Sequence, residues 1–379
     1  MKGTWGLMSL GLTLGLVALI WAPACAPAAP PPAAPPPATP TPAGQPAAAK
    51  PAGTPSAAPA TPTPKPATVR YGSIKATNDA PIYLAMDRGW FKEQGITMEL
   101  ILIQTLSDQI PVLAKGDLEL AQGGWAASVS NAALRGLPVK VIGDGASLYP
   151  GFSPMAITVR KDLIDDGKIR SAADVKGKKV AVTSPQTMSR YFAPVLADAK
   201  LTTKDIEFVS LASPDTLAAY ANKNIDMALQ MEPLLSETTA RGLAVRWKEA
   251  ADYRPGFQSG VLLASPQFLE NKDLANRWFV TYVRDIRAYL DAVSTGKDID
   301  EVIGVLQKYT SVKDRAVYER MLKAKSMFGF NPNGYANKQS LAFDIEHFLA
   351  EGYMQEKVDI NSLVDDTLAD YAVQQLGKR

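Results

Sequence analysis

Cysteine and histidine are nearly missing: the 379 residues hold one of each, Cys25 and His347. One thiol cannot build a disulfide framework, and the pair cannot supply a zinc cluster, iron–sulfur ligation or a Cys/His nucleophile couple. An excess of one charge is also missing. Lys and Arg number 40 against 38 Asp and Glu, so no electrostatic footprint points to nucleic acid or an acidic membrane surface. No GxxxxGK[ST] phosphate loop occurs, and "GDGASLYPG" lacks the spacing of a dinucleotide fingerprint. Carboxylates are plentiful, yet none forms a recognisable acid/base pair, and the lone histidine lies far along the chain from the segments singled out below, so no Ser/His/Asp set is expected there. The expectation is a protein with no catalytic residues, no cofactor and no metal.

What is present begins with the N-terminus. Lys2 precedes an apolar run over 5–21, and the small residues Ala22 and Ala24 lead to Cys25. This is the layout of a secretory signal, and its end resembles the bacterial lipobox, with Ala22 standing where an aliphatic residue is usual. Residues 1–24 are read as a signal peptide and Cys25 as the lipid attachment site. A retained helix is the alternative, because about 17 apolar residues reach the lower edge of a bilayer span. From there to residue 66 the chain is almost wholly Ala, Pro and Thr. Proline removes backbone donors and blocks helix, so 25–66 reads as an anchor and an extended, disordered tether. Its ~40 residues at ~3.1 Å each reach ~120 Å when stretched. The expected location is outside the cytoplasm, lipid-anchored at the outer face of the cytoplasmic membrane or in the periplasm.

The remaining ~310 residues suffice for two domains or one bilobal unit. Val69, Tyr71 and Ser73 alternate as a strand, "KATNDAP" leads into a helix carrying Ile82, Leu84, Ala85 and Met86, and a second strand starts at Thr97. Short strands recur in "LELAQGG", "VKVIGDG", "MAITVRKDL", "KKVAVTS", "IEFVSLA", "IDMALQM" and "LAVRWKEA". Helical patterns separate them, as in a mainly parallel α/β sheet. After about Pro266 the pattern is helical. An internal repeat sharpens the picture: "SDQIPVLAKGDLELAQGGW" matches "PDTLAAYANKNIDMALQMEP" without a gap, with Asp108 over Asp215, Ala114 over Ala221, Glu119 over Asp226 and Ala121 over Ala228. Each copy reads as helix, turn, strand and loop, which suggests two lobes of similar plan.

Six segments in order, "APIYLAMDRGWFKEQGI", "DQIPVLAKGDLELAQGG", "ALRGLPVKVIGDG", "RSAADVKGKKVAV", "PDTLAAYANKNIDMALQMEPLL" and "ARGLAV", resemble the periplasmic substrate-binding proteins of ABC importers for nitrate, taurine, aliphatic sulfonates and thiamine pyrimidines. The resemblance implies a type II periplasmic-binding-protein fold, with two α/β lobes joined by two crossing strands and followed by C-terminal helices. The crossings would lie near "PGFSPMAITV" and "PGFQSGVLLAS". Lobe 1 would comprise 67–153 with 258–379, and lobe 2 would comprise 154–257. The implied partners are a small-molecule ligand, an ABC permease with its ATPase and, through the lipid anchor, a membrane; a monomer is expected. Related fungal thiamine-pyrimidine synthases share the implied fold but use a histidine and a cysteine-rich iron motif; this chain lacks the cysteines and has no histidine in the segments expected to form the cleft. A surface sensor module is a further alternative.

Ligands in open α/β sheets sit beyond the strand carboxyl ends, where helix N-termini present free N–H groups. The segments that fit are "TNDAP" with Asn78, "QTLSDQ" with Thr105 and Ser107, "GGWAAS" with Gly123, Gly124, Trp125 and Ser128, and "TSPQTMSRYF" with Gln186, Thr187, Ser189 and Arg190. For the small polar residues the competing role is capping and turn chemistry. Trp125 offers a stacking face or a core aromatic. Glu232 offers an acceptor for a ligand amine or a structural ion pair, and Arg190 an anion partner or a solvated helix arginine. Tyr149 and Phe152, near the first crossing, are further candidates for ligand contact, and His347 reads as a packing histidine. Convergent N–H groups favour a sulfonate-, carboxylate- or nitrate-like ligand, with an aminopyrimidine or amino-sulfonate close behind.

Overall fold

The computed structural model describes residues 64–379; the expected signal peptide, Cys25 and most of the tether lie outside the described residues. Among the described residues, ten strands form two five-stranded sheets. The first contains β1 (Ala67–Ser73), β2 (Ile96–Leu102), β3 (Leu120–Gly124), β4 (Lys140–Leu148) and β10 (Phe257–Ala264), in the order β2-β1-β3-β10-β4. The second contains β5 (Met155–Arg160), β6 (Lys179–Val182), β7 (Glu207–Ser210), β8 (Met227–Met231) and β9 (Ala244–Glu249), in the order β7-β6-β8-β5-β9. Replacing β1, β2, β3 and β4 by β6, β7, β8 and β9 turns one order into the other, with β10 and β5 in matching places. These two are the strands that follow the crossings, and each runs antiparallel to both neighbours. The remaining strands of each sheet run in one direction, which gives the mainly parallel character read from the sequence.

The sequence repeat has a structural cause. Glu119 takes the Arg70 backbone N–H on a carboxylate oxygen at 2.7 Å and returns its own N–H to the Arg70 carbonyl. Asp226 does the same to Lys179, at 3.0 Å. In each lobe an acid ahead of the third strand clamps the first strand and sets the parallel register Tyr71↔Leu120 or Val180↔Met227.

Helices cover both sheets. The first, Ala80–Arg88, stops at Gly89, whose φ of 75° is the left-handed conformation that glycine adopts without Cβ strain. The long helix Lys272–Thr295 buries Trp278, Phe279, Tyr282, Val283, Ile286 and Tyr289 at helical spacing. The Trp278 ring packs among Tyr71, Phe91 and Tyr282. β4 is a sheet edge yet wholly buried after its first residue, because the C-terminal segment bonds along it at Gly329, Gly334 and Asp365. A covered edge cannot recruit a foreign strand.

One helix lies along the seam between the lobes. On Lys338–Ala350, Leu341, Ile345 and Phe348 bury into the core beneath β3 and β10. Ser340, Asp344, His347 and the C-cap residue Glu351 form a polar stripe one helical turn apart on another face. Arg254, at the second crossing, donates to the Ser340 carbonyl and hydroxyl and to Asp344. From the second lobe, Arg190 donates to Asp344 at 2.5 Å, Ser189 pairs with His347 at 2.9 Å, and Thr203 bonds Glu351. Burial holds the His347 pKa below the usual imidazole value.

Candidate functional site

A cavity of about 100 Å³ lies between the lobes at the carboxyl ends of their strands. After β1 come Ile74, Ala76 and Asn78; β3 ends on Gly124 and β8 on Met231; the segment after β6 adds Thr187, Met188, Arg190 and Tyr191. Met155, Ser259, Gly260 and Phe328 close it near the crossings, with Ala146 of β4. Gly124 and Met231 occupy equivalent positions of the internal repeat, so the two lobes face the cavity with the same point of their plan.

The glycine pair divides its work. A Cβ on Gly123 would stand 2.8 Å from the Leu106 Cβ, so this glycine lets the helix Leu106–Lys115 pack on β3. A Cβ on Gly124 would meet only the Ser259 carbonyl, at 3.9 Å. Gly124 therefore opens the cavity wall.

Of the residues expected from sequence, Asn78, Gly124, Thr187 and Arg190 line this cavity. Ser107, Ser128, Gln186 and Thr187 line a neighbouring polar groove of about 380 Å³ together with Asn131, Arg135 and Tyr353. Thr187 is common to both, and Ser107 donates to Ser128 at 2.8 Å. The others serve the fold. Trp125 is fully buried in the first lobe's core, away from both spaces, and its indole N–H has no partner among the described residues. Thr105 caps the helix Leu106–Lys115 through Asp108. Ser189 is taken by His347. Glu232 accepts from the Ser236 backbone and hydroxyl and from Arg246. Tyr149 and Phe152 exchange backbone bonds within the first crossing.

The charge pattern also differs from the expected one. Arg190, the one charged residue of the cavity's lining among the described residues, is 1 % exposed and engaged at every guanidinium nitrogen. Nε donates to the Thr187 carbonyl, Nη1 to Asp344 and the Gln258 carbonyl, and Nη2 to Tyr191 and the Ser259 carbonyl. Tyr191 and Phe257 also stack on it. The helix Ala80–Arg88 begins directly after Asp79, a buried carboxyl that accepts from Tyr71, Ser73 and Tyr83. Burial pushes its pKa up to about 6 against the pull of those hydroxyls. The helix after β6, Pro185–Met188, is a single turn and carries little dipole.

Sequence reading missed the apolar lining: Ile74, Met155, Met188, Met231 and Phe328. A signal for Met231 existed in the repeat, which places it opposite Gly124. Among the described residues no group of three or more His, Cys, Asp or Glu side chains can hold a metal ion, and no helix is long and apolar enough to cross a membrane.

The profile of the NMT1/THI5 like family matches residues 76–293. No curated protein matches the sequence. Solved structures with the same fold include the periplasmic aliphatic sulphonate binding protein SsuA from Escherichia coli, 19% identical, TM-score 0.63, covering 80% of this chain and 93% of that one. The periplasmic nitrate-binding protein NrtA from Synechocystis PCC 6803 is 15% identical, TM-score 0.65, covering 83% and 90%. The desulfurization enzyme DszB is 16% identical, TM-score 0.56, covering 81% and 99%.

Proposed function

This chain belongs to the NMT1/THI5 like family, and from that premise we propose that it is an exported solute-binding protein that captures a small organic molecule between its lobes and delivers it to an ABC permease and its ATPase. The observation that carries the reading is the cavity walled by equivalent strand ends of both lobes, Gly124 from one and Met231 from the other. A ligand touching both walls stabilises the closed form, because both sets of contacts exist only there. In this reading 67–153 with 258–379 form one lobe and 154–257 the other. Cys25 carries the lipid, 25–66 is the tether, and the protein acts as a monomer in the periplasm or at the outer face of the cytoplasmic membrane. The solute leaves chemically unchanged.

Filling the cavity tests it. Gly124→Leu meets no protein atom closely at its Cβ, so the variant should fold and lose the solute that native mass spectrometry finds on the wild type. Undiminished capture by Gly124→Leu would place binding elsewhere, and a chemically altered solute would move the protein to the enzyme class. Mass analysis of the mature N-terminus checks the anchor, which an unmodified terminus away from Cys25 would refute.

A further inference from the structure

The ligand's chemistry can be narrowed further, on the premise that the solute-binding reading holds. We infer that the cavity takes an uncharged molecule with a small apolar body and one amide-like hydrogen-bonding group. Three methionines, Met155, Met188 and Met231, meet Ile74 and Phe328 around it. Thioethers are polarisable and adaptable, and they suit a flat ring or a short alkyl chain. The volume of about 100 Å³ is smaller than the ~150 Å³ apolar cavity that accommodates benzene in another protein, and Met231, 42% exposed, leaves one side open, so the body is no larger than a single small ring.

An anion would find no free countercharge among the described residues of this cavity. A carboxylate or sulfonate leaving water needs a countercharge or several donors. Arg190 is held at all its nitrogens by Asp344 and its neighbours. The helix starts nearby bring their own acids, Asp79 and Asp108, and Asp79 directly follows Asn78 in the chain. Ser259 donates its hydroxyl to the Ala146 carbonyl and keeps only acceptor capacity towards the cavity. Asn78 completes the case. It is 6 % exposed and lines the cavity, and its carbonyl is engaged by Gln122 while its side-chain amide has no partner among the described residues. A primary amide offers both donor and acceptor, so it complements an amide-like group and gives a bare oxyanion only one kind of contact.

The purified full-length protein is titrated calorimetrically with benzamide, benzoate, benzenesulfonate and nitrate. The expected result is that benzamide binds, that each anion binds at least about tenfold more weakly, and that Asn78→Leu lowers benzamide affinity by about tenfold. Met231→Gln, at a side chain 42% exposed, should weaken benzamide without unfolding the protein, and the wild-type ranking decides even if Asn78→Leu does not fold. An anion binding as tightly as benzamide overturns the inference and leaves the solute-binding reading intact. Binding of no probe at millimolar concentration also overturns it. If protein drawn from its host's envelope then carries no solute by native mass spectrometry, the solute-binding reading falls as well.

Discussion

Trp125 shows how far a single residue's role depends on one step along a strand. It follows Gly124, which opens on the cavity, and successive strand side chains point to opposite faces, so its indole goes into the core with 0 % exposure. Glu232 follows Met231 in the same relation. The motifs "GGW" and "MEP" mark the place of the site in the sequence, but they do not show which of two adjacent side chains faces it, and that is why Trp125 and Glu232 read as ligand contacts. Trp125→Ala should cost about 3–5 kcal/mol of stability through cavity formation. Trp125→Phe should cost clearly less, because it also removes the buried N–H without a partner. Denaturant titration of both variants checks this. Buried acids set the pH response. Asp79 and Asp144 are pushed by burial from 3.8 up to about 6, and Asp285 is raised well above the ordinary carboxyl value. Each binds its proton more tightly when folded, so stability falls as pH rises from 3.8 through about 6, and further for Asp285. His347 works the other way: its pKa is lowered, so its contribution is lost as pH falls through the free-imidazole range. With three raised carboxyls against one lowered imidazole, the melting temperature should be higher at pH 5 than at pH 8. Asp79 and Asp144 contribute about 1 kcal/mol each over that interval. Asp285→Asn keeps an acceptor for the Ala85 N–H and should raise stability at pH 8 but not at pH 5.

At the scale of elements, the fold was legible where a local pattern carries it. Alternation marked the strands, and the repeat marked the duplicated helix–turn–strand unit, because each copy needs an acid ahead of its third strand. The Glu119 and Asp226 clamps predict a matched pair of effects. Glu119→Ala and Asp226→Ala should each lose about 2 kcal/mol, the scale of a hydrogen bond to a charged group. Because the clamps lie in different sheets, the losses in the double variant should add to within about 0.5 kcal/mol. Urea titration of the single and double variants measures this, and strong non-additivity would contradict two separately clamped sheets. Other features depend on long-range pairing and gave no local signal. Neither the antiparallel insertion of β5 and β10 nor the covering of β4 by the C-terminal segment can be read from the strand sequences. The engagement of Arg190 by Asp344, 154 residues away, was equally invisible, so Arg190 looked free for an anion.

For the whole molecule, the helix Lys338–Ala350 joins the lobes in a way the two crossings alone do not. Its inner contacts, Ser340 and Asp344 with Arg254, sit at the crossing, while Ser189–His347 and Thr203–Glu351 lie further along the seam. Asp344→Asn leaves Arg190 buried without its anionic partner and should lower stability by about 3 kcal/mol, seen in thermal unfolding. Glu351→Ala, at a partly exposed position, should leave the melting temperature nearly unchanged. A polar seam differs from an apolar one in how it parts: water takes over each hydrogen bond as it breaks, so the net cost of a partly exposed one such as Thr203–Glu351 is only about 1–2 kcal/mol. Opening the lobes is then a sequence of small steps from the Glu351 end towards the crossing. Under the proposed function, the residence time of a bound solute is accordingly governed in part by side chains that never touch it. Glu351→Ala should shorten it about fivefold with little change in the association rate, a split that stopped-flow displacement resolves. Two proteins with identical cavities and different seam stripes would hold the same molecule for different lengths of time, so the seam can tune retention while the cavity keeps its selectivity.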